Sequence, residues 1–370
     1  MALSPARACE YPAVFILSGY VIGLTNNKRL NRQSIGPYLR KRFVRLYPIY
    51  FITLIIIIWP IAHHYSWPTI IGNFLFLQNS VVPVIYEVNP IWSLNNEAVY
   101  YLLFIPISYF GLSPGRVGFA AALLGTLCSL LLNQPLLGAY SFGFAFWLSG
   151  LWLAQNRPFP ERQSSRWQLV GLLFLFLGHP FLNLFDKVQP LIEHALGRTF
   201  LFPDGPTVTF GDLLQLPFCF YLFLRFTNHT FKHAGLWLWW FIGSALFYYG
   251  STVFEFGVGS DEALFLLLPT LFTLIGAVVL SVESVLHEPG GTAVLSEWML
   301  KLGAISYGVY IIHFPISVVL YHIRFFSGTP LTFGVRLLLD VGLTLFAGAI
   351  LELRFQPWAR NLLNPPKDKK

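Results

Sequence analysis

Of the 370 residues, 55% are hydrophobic and only 11% are charged, less than half the roughly 25% that wets the surface of a soluble domain, so the solvent of this chain is largely lipid. The net charge of +7 would suit a nucleic-acid partner. In so apolar a chain, however, basic residues first serve membrane topology, and no nucleic acid is expected to bind. Several apolar runs approach the roughly 20 residues that carry a helix across a hydrocarbon core about 30 Å thick; a barrel would show short alternating strands instead. These features predict an all-α, polytopic transmembrane bundle of about 10–11 helices.

In chain order, Met1 to Glu10 lacks the basic segment, apolar stretch and small-residue site of a cleavable signal peptide. Apolar runs bounded by charge, Pro, Gly or Asn then predict helices near 12–25, 46–62, 97–111, 116–133, 138–155, 166–184, 209–225, 235–252, 264–282, 302–323 and 332–352. If the first begins outside, every Lys and Arg falls on the cytoplasmic side except Arg7, Lys187, Arg198, Arg324 and Arg336. The N-terminus is then exterior and Lys367, Lys369 and Lys370 are cytoplasmic, in a multi-pass protein of the cell inner (plasma) membrane. No repeat or low-complexity linker interrupts the chain, and residues 1–370 read as a single membrane domain. Cys9, Cys128 and Cys219 are far apart and predict no disulfide; His63 and His64 lack neighbouring ligands, so no metal site is expected. Gly19 and Gly23 form a small-xxx-small pair suited to close helix packing.

Three clusters carry candidate chemistry. The connection Lys28, Arg29, Arg32, Arg40, Lys41, Arg42, Arg45 ends in Leu46-Tyr47-Pro48 as a span begins. Such a cluster anchors topology, but Arg42 and Arg45, three apart, also share a helical face, and guanidinium forks suit phosphates such as those of a coenzyme A thioester. In Asn89-Pro90-Ile91-Trp92-Ser93-Leu94-Asn95-Asn96-Glu97, followed by Tyr100 and Tyr101, Asn95 or Asn96 is a possible helix cap. Glu97 is the one acid between Glu87 and Glu161, a carboxylate at the edge of an apolar slab, and its Trp, Tyr and Asn neighbours could bind a sugar face. In Leu302–Pro315, His313 is flanked by apolar sequence and could act as a general base or simply bond a neighbour.

Together these motifs resemble the acyltransferase-3 family of membrane O-acyltransferases, which modify cell-surface glycans. Phe15-Ile16-Leu17-Ser18-Gly19-Tyr20, Tyr38 through Pro48, Ile91-Trp92-Ser93-Leu94 with Glu97 and Tyr100-Tyr101, and Leu302 through Pro315 occur in the family's order, so the resemblance extends over nearly the whole chain. It implies transfer of an acyl group, usually acetyl, from acyl-CoA to a sugar hydroxyl. Arg40, Arg42 and Arg45 would hold donor phosphates, Trp92, Ser93 and Tyr100 would bind substrate, Glu97 and His313 would be catalytic, and no permanently bound cofactor is implied.

The chain departs from the family pattern in two places. Family members carry an earlier helix with a basic residue and a catalytic histidine, whereas 14 residues without histidine precede Phe15 here. The segment Arg354-Phe355-Gln356-Pro357-Trp358 lacks the glutamate commonly found just before its proline. An exterior N-terminus and a missing histidine together predict a further helix upstream of Met1; otherwise the chain is an inactive member or uses His313 instead. A transporter or flippase of a lipid-linked sugar is the alternative from another class, but it predicts inverted repeats that the sequence lacks.

Overall fold

A computed structural model describes residues 10–363 except 27, 157–164, 183, 202, 204–206, 214, 228–232, 284–292, 324 and 326–328. Among the described residues the chain is helical, with no β-strand. The helices are α1 (Glu10–Thr25), α2 (Arg32–Ile61), α3 (Trp67–Phe74), α4 (Trp92–Phe110), α5 (Pro114–Leu130), α6 (Pro135–Asn156), α7 (Arg166–Gly178), α8 (Leu184–Leu196), α9 (Phe210–Leu213) and α10 (Leu216–Phe226). They continue as α11 (Ala234–Phe256), α12 (Asp261–Val282), α13 (Ala293–His322), α14 (Pro330–Ile350) and α15 (Gln356–Leu363), with 3₁₀ turns at Ala62–His64, Tyr86–Ile91 and His179–Phe181 and a π turn at Leu351–Phe355. By length and composition, five helical stretches among the described residues can cross a bilayer: Arg32–His64, Pro135–Asn156, Asp261–Val282, Leu300–His322 and Pro330–Leu363.

The predicted spans fall on helices, but several boundaries move. α2 begins at Arg32, not near 46, so Arg32, Arg40, Lys41, Arg42 and Arg45 are helical, while Lys28 and Arg29 remain in the connection. α4 begins at Trp92, which puts Asn95 and Asn96 inside the helix and removes them as caps. The run 166–184 ends its α-helix at Gly178, ahead of Pro180, and continues as a 3₁₀ turn before α8. The run 209–225 divides into α9 and α10, the latter starting with Pro217 in its first turn. Cys128 and Cys219 are buried and unpaired, while Cys9 lies outside the described residues.

The chain forms two compact units, each assembled from two stretches of sequence: residues 1–28 with 111–295, and residues 29–110 with 296–370. In the first, α1 lies against α6 so closely that a Cβ on Gly19 would overlap the Trp147 carbonyl, and one on Gly150 would overlap that of Ile16. A Cβ on Gly23 would stand 2.5 Å from Ala154 Cβ. The Trp147 indole donates to Ser18 Oγ at 3.2 Å across the same contact. In lipid, where apolar burial does not drive helices together, this backbone-to-backbone fit is what holds the pair.

The second unit is built on the apolar half of α2. Ile49, Tyr50, Leu54 and Ile58 pack with Ile70 of α3, with Ile85, Val88 and Ile91 before α4, and with Ile311 and Leu351. Buried polar groups stitch the loop between α3 and α4 in place. Asn73 donates to the Thr69 and Pro83 carbonyls at 2.9 and 3.0 Å, and Gln78 donates to the Ile91 carbonyl at 3.1 Å. Asn95 donates to the Phe76 carbonyl and to Ser80 Oγ. Phe76 takes a left-handed backbone at φ 58°, and its ring stacks 4.3 Å from that of Tyr50. Tyr65 donates to Glu87 at 2.6 Å; burial and that carboxylate push its phenol up to about 12, so it remains a donor at physiological pH.

The α1–α6 contact makes a stability prediction. Gly19→Ala and Gly150→Ala are expected to cost about 1–3 kcal/mol or more through overpacking, seen as a lowered unfolding midpoint of the purified protein. Gly243→Ala, on α11 with nothing within 4 Å of the added methyl, is expected to leave the midpoint unchanged.

Candidate active site

The cationic end of α2 is set by its start. Asn31 accepts from the Ser34 amide at 2.9 Å while Ser34 Oγ accepts from the Asn31 amide at 2.7 Å, a capping box that fixes the start of the helix ahead of Arg40. One to three turns on, Arg40, Lys41, Arg42 and Arg45 line a cavity of about 850 Å³, whose other wall carries Glu352 and Arg360 from the π turn and α15. The lining is strongly cationic, with one carboxylate set among five positive side chains.

That carboxylate is the most enclosed charge of the site. Glu352 is 3% exposed at its side chain, and its Oε2 accepts from Arg45 Nη1 at 2.8 Å. Its buried Oε1 accepts no hydrogen bond from the described residues. The close approach of α13 to α14 confines it: a Cβ on Gly308 would meet the Gly348 carbonyl at 2.7 Å and Glu352 Cγ at 3.1 Å. The Arg45 guanidinium also sits 5.5 Å from the centre of the Tyr307 ring, within cation–π range. Gln356, one turn past Glu352, donates to the carbonyls of Val44 at 2.7 Å and Arg45 at 3.3 Å.

Glu97 joins the same end of the unit. It accepts from Tyr101 at 2.5 Å, and Arg42 lies 5.9 Å from the Tyr101 ring and 5.6 Å from that of Tyr38. Tyr38 in turn donates to the Tyr101 carbonyl at 3.2 Å. Tyr307 donates to the Leu46 carbonyl at 2.8 Å and stands within electrostatic reach of Glu97 and Arg45.

His313 belongs to a second group, two turns farther along α13. Tyr310 donates to the Pro90 carbonyl, which commits its only proton, so Ser93 must be the donor in the 2.6 Å contact between their hydroxyls. His313 Nδ1 lies 2.7 Å from the Tyr310 carbonyl. A carbonyl only accepts, so Nδ1 carries the proton and Nε2 presents its lone pair. Six residues of helix separate His313 from Tyr307, about 9 Å along the axis. The expected residues therefore divide into Arg40, Arg42, Arg45 and Glu97 at one level and Ser93 and His313 at another, joined through α4 and α13. Trp92 and Tyr100 are both fully buried, so in this conformation they pack the unit and offer no face to a substrate.

Glu352, Gln356, Arg360, Tyr307 and Tyr310 complete the candidate site and were not among the site residues expected from sequence, although Gln356 was noted as a departure from the family pattern and the tyrosines lie in the Leu302–Pro315 segment. For Glu352 the signal was present: it is an acid in an apolar run, the argument already applied to Glu97. Asp340 shares that signal and is held by Ser317 at 2.6 Å. His179 also lies in an apolar run, but it is buried in the first unit, stacked 4.3 Å from Phe218.

The family model described as an acyltransferase domain matches residues 11–189, just under half of the chain. Searches of curated proteins and of solved structures returned no match. The matched stretch contains the Phe15–Tyr20, Tyr38–Pro48 and Ile91–Tyr101 segments, and the late segment Leu302–Pro315 falls outside it. With helices long and apolar enough for several crossings, the chain is a multi-pass membrane protein whose residues 11–189 match the acyltransferase-3 domain.

Proposed function

We propose that the chain is an O-acyltransferase that moves an acyl group, acetyl foremost, from acyl-CoA to a hydroxyl of a cell-surface polysaccharide or related glycan. The observation that carries this reading is the cavity of about 850 Å³ with Arg40, Lys41, Arg42, Arg45 and Arg360 on its walls. Guanidinium groups on a rigid helix match the bidentate geometry of phosphate oxygens, and coenzyme A carries its phosphates at one end and its thioester at the other. On the topology set by the basic loops, this end of α2 faces the cytoplasm, where acyl-CoA is found.

In the proposed reaction the acceptor oxygen attacks the thioester carbonyl carbon, the C–S bond breaks, and coenzyme A leaves as the thiolate. The hydroxyl proton passes to a base and from it to the departing sulfur. His313 Nε2, freed as an acceptor by the Nδ1 contact to Tyr310, is the base assigned here. Glu97, held by Tyr101, orients the acceptor, and Ser93 with Tyr310 keeps α4 and α13 in register around the reacting groups. Donor phosphates at the α2 level and a base about 9 Å along α13 suit a donor whose thioester lies at the end of a long arm.

Two measurements test the reading. With labelled acetyl-CoA and membranes of the host, Arg42→Ala and Arg45→Ala are each expected to raise the donor KM roughly tenfold, the value of one charge-assisted hydrogen bond. Arg116→Ala, which removes an equal charge outside the cavity lining, should leave KM as it was. His313→Ala is expected to lower kcat about 10²-fold with KM little changed; full transfer by that variant removes His313 from the mechanism. Mass spectrometry of surface glycans, comparing intact host with a clean deletion, identifies the acceptor by the acyl group lost. No transfer from acetyl-CoA and no glycan change would leave a non-catalytic family member.

A further inference from the structure

Pro48 lies in the middle of α2, three residues after Arg45. In an unbroken helix the N–H of residue 48 would bond the carbonyl of residue 44, but proline has no N–H and its ring crowds that carbonyl. Val44 is buried at 6% exposure, so its freed carbonyl needs a protein donor. Gln356 supplies it: Nε2 donates to Val44 at 2.7 Å and reaches the Arg45 carbonyl at 3.3 Å. At the far end of α15, Arg40 donates to the Leu363 carbonyl at 2.5 Å, so α15 is tied to α2 at both of its ends.

We infer that Gln356 is a positioning residue for donor binding, its amide standing in for the missing Pro48 N–H and holding this stretch of α2 so that Arg42 and Arg45 face the cavity. This rests on reading the cavity as the donor site. The task needs an amide: a glutamate there would set an acceptor against two carbonyl oxygens and could donate to neither unless protonated. The carboxylate of the site is Glu352, one turn earlier, where it faces a guanidinium instead.

The test is a double-mutant cycle on the purified full chain, read by calorimetric affinity for coenzyme A and by amide hydrogen exchange through residues 42–52 without ligand. Gln356→Ala is expected to weaken coenzyme A binding about tenfold and to speed exchange in that segment. Gln356→Glu should weaken binding further. In a Pro48→Ala background the residue at 48 can bond Val44 itself, and Gln356→Ala should then change affinity by less than about twofold and leave exchange unaltered. An equal effect of Gln356→Ala in both backgrounds overturns the inference. If Gln356→Ala alone does not fold, recovery of folding by Pro48→Ala supports it, and failure to recover overturns it. If the parent protein does not bind coenzyme A, the donor reading fails, and the ligand-free exchange data alone decide the role of Gln356.

Discussion

A carboxylate withdrawn from water must be paired or protonated, because desolvation of an ionised group costs several kcal/mol even after the protein relaxes. Glu352 sits under that constraint, and much of the second unit can be understood as meeting it. Arg45 must reach it from α2, which requires the cationic stretch of α2 to be helical and to end near the apolar half. α13 must approach α14 without a side chain at Gly308, since a methyl there would press on Glu352 itself. The π turn at Leu351–Phe355 bears on the same point. Widened turns of this kind are found where a helix has to redirect side chains, and this one ends just before Pro357, whose ring would crowd the carbonyl four residues back.

Seen from that pair, the site is organised along α13. Tyr307, Tyr310 and His313 recur at three-residue spacing and so descend one face of the helix, Tyr307 at the Arg45–Glu97 level, Tyr310 at Ser93 and Pro90, and His313 on the Tyr310 carbonyl. Each hydroxyl closes a backbone carbonyl, Tyr307 that of Leu46 and Tyr310 that of Pro90, while the Tyr307 ring faces Arg45 and the Tyr310 hydroxyl also meets Ser93. In an apolar environment such pairings are obligatory, so the tyrosines fix helix register and thereby the spacing between the levels proposed for phosphate binding and proton transfer.

Fold class and spans were legible because lipid imposes a strong compositional rule, and close packing of α1 was legible in Gly19 and Gly23, though not that α6 is its partner. The arginine cluster was legible too, since three-residue spacing is visible in a sequence. What escaped was pairing at long sequence separation. Arg45 and Glu352 are 307 residues apart, Ser93 and Tyr310 are 217 apart, and nothing local marks either partner. Helix starts failed for a physical reason as well: hydropathy finds where a helix enters the apolar slab, whereas the backbone becomes helical at Arg32 and Trp92, well before that point. Trp92 and Tyr100 were chosen for their chemistry, but chemistry does not reveal burial, and both pack inward.

Gln356 shows how a departure from a family pattern can mislead when it is read one position at a time. By resemblance a glutamate is expected just before Pro357, and a glutamine there looks like a lost charge. In three dimensions the neighbourhood holds two demands of opposite sign: a cation, Arg45, that needs an acceptor, and the carbonyl of Val44, which needs a donor because Pro48 has no N–H to give it. A single glutamate at 356 could answer only the first. With Glu352 on the guanidinium and Gln356 on the carbonyls, one turn of helix answers both. The carboxylate stands four residues before the glutamine, and the π turn and α15 keep both side chains on the wall of the same cavity.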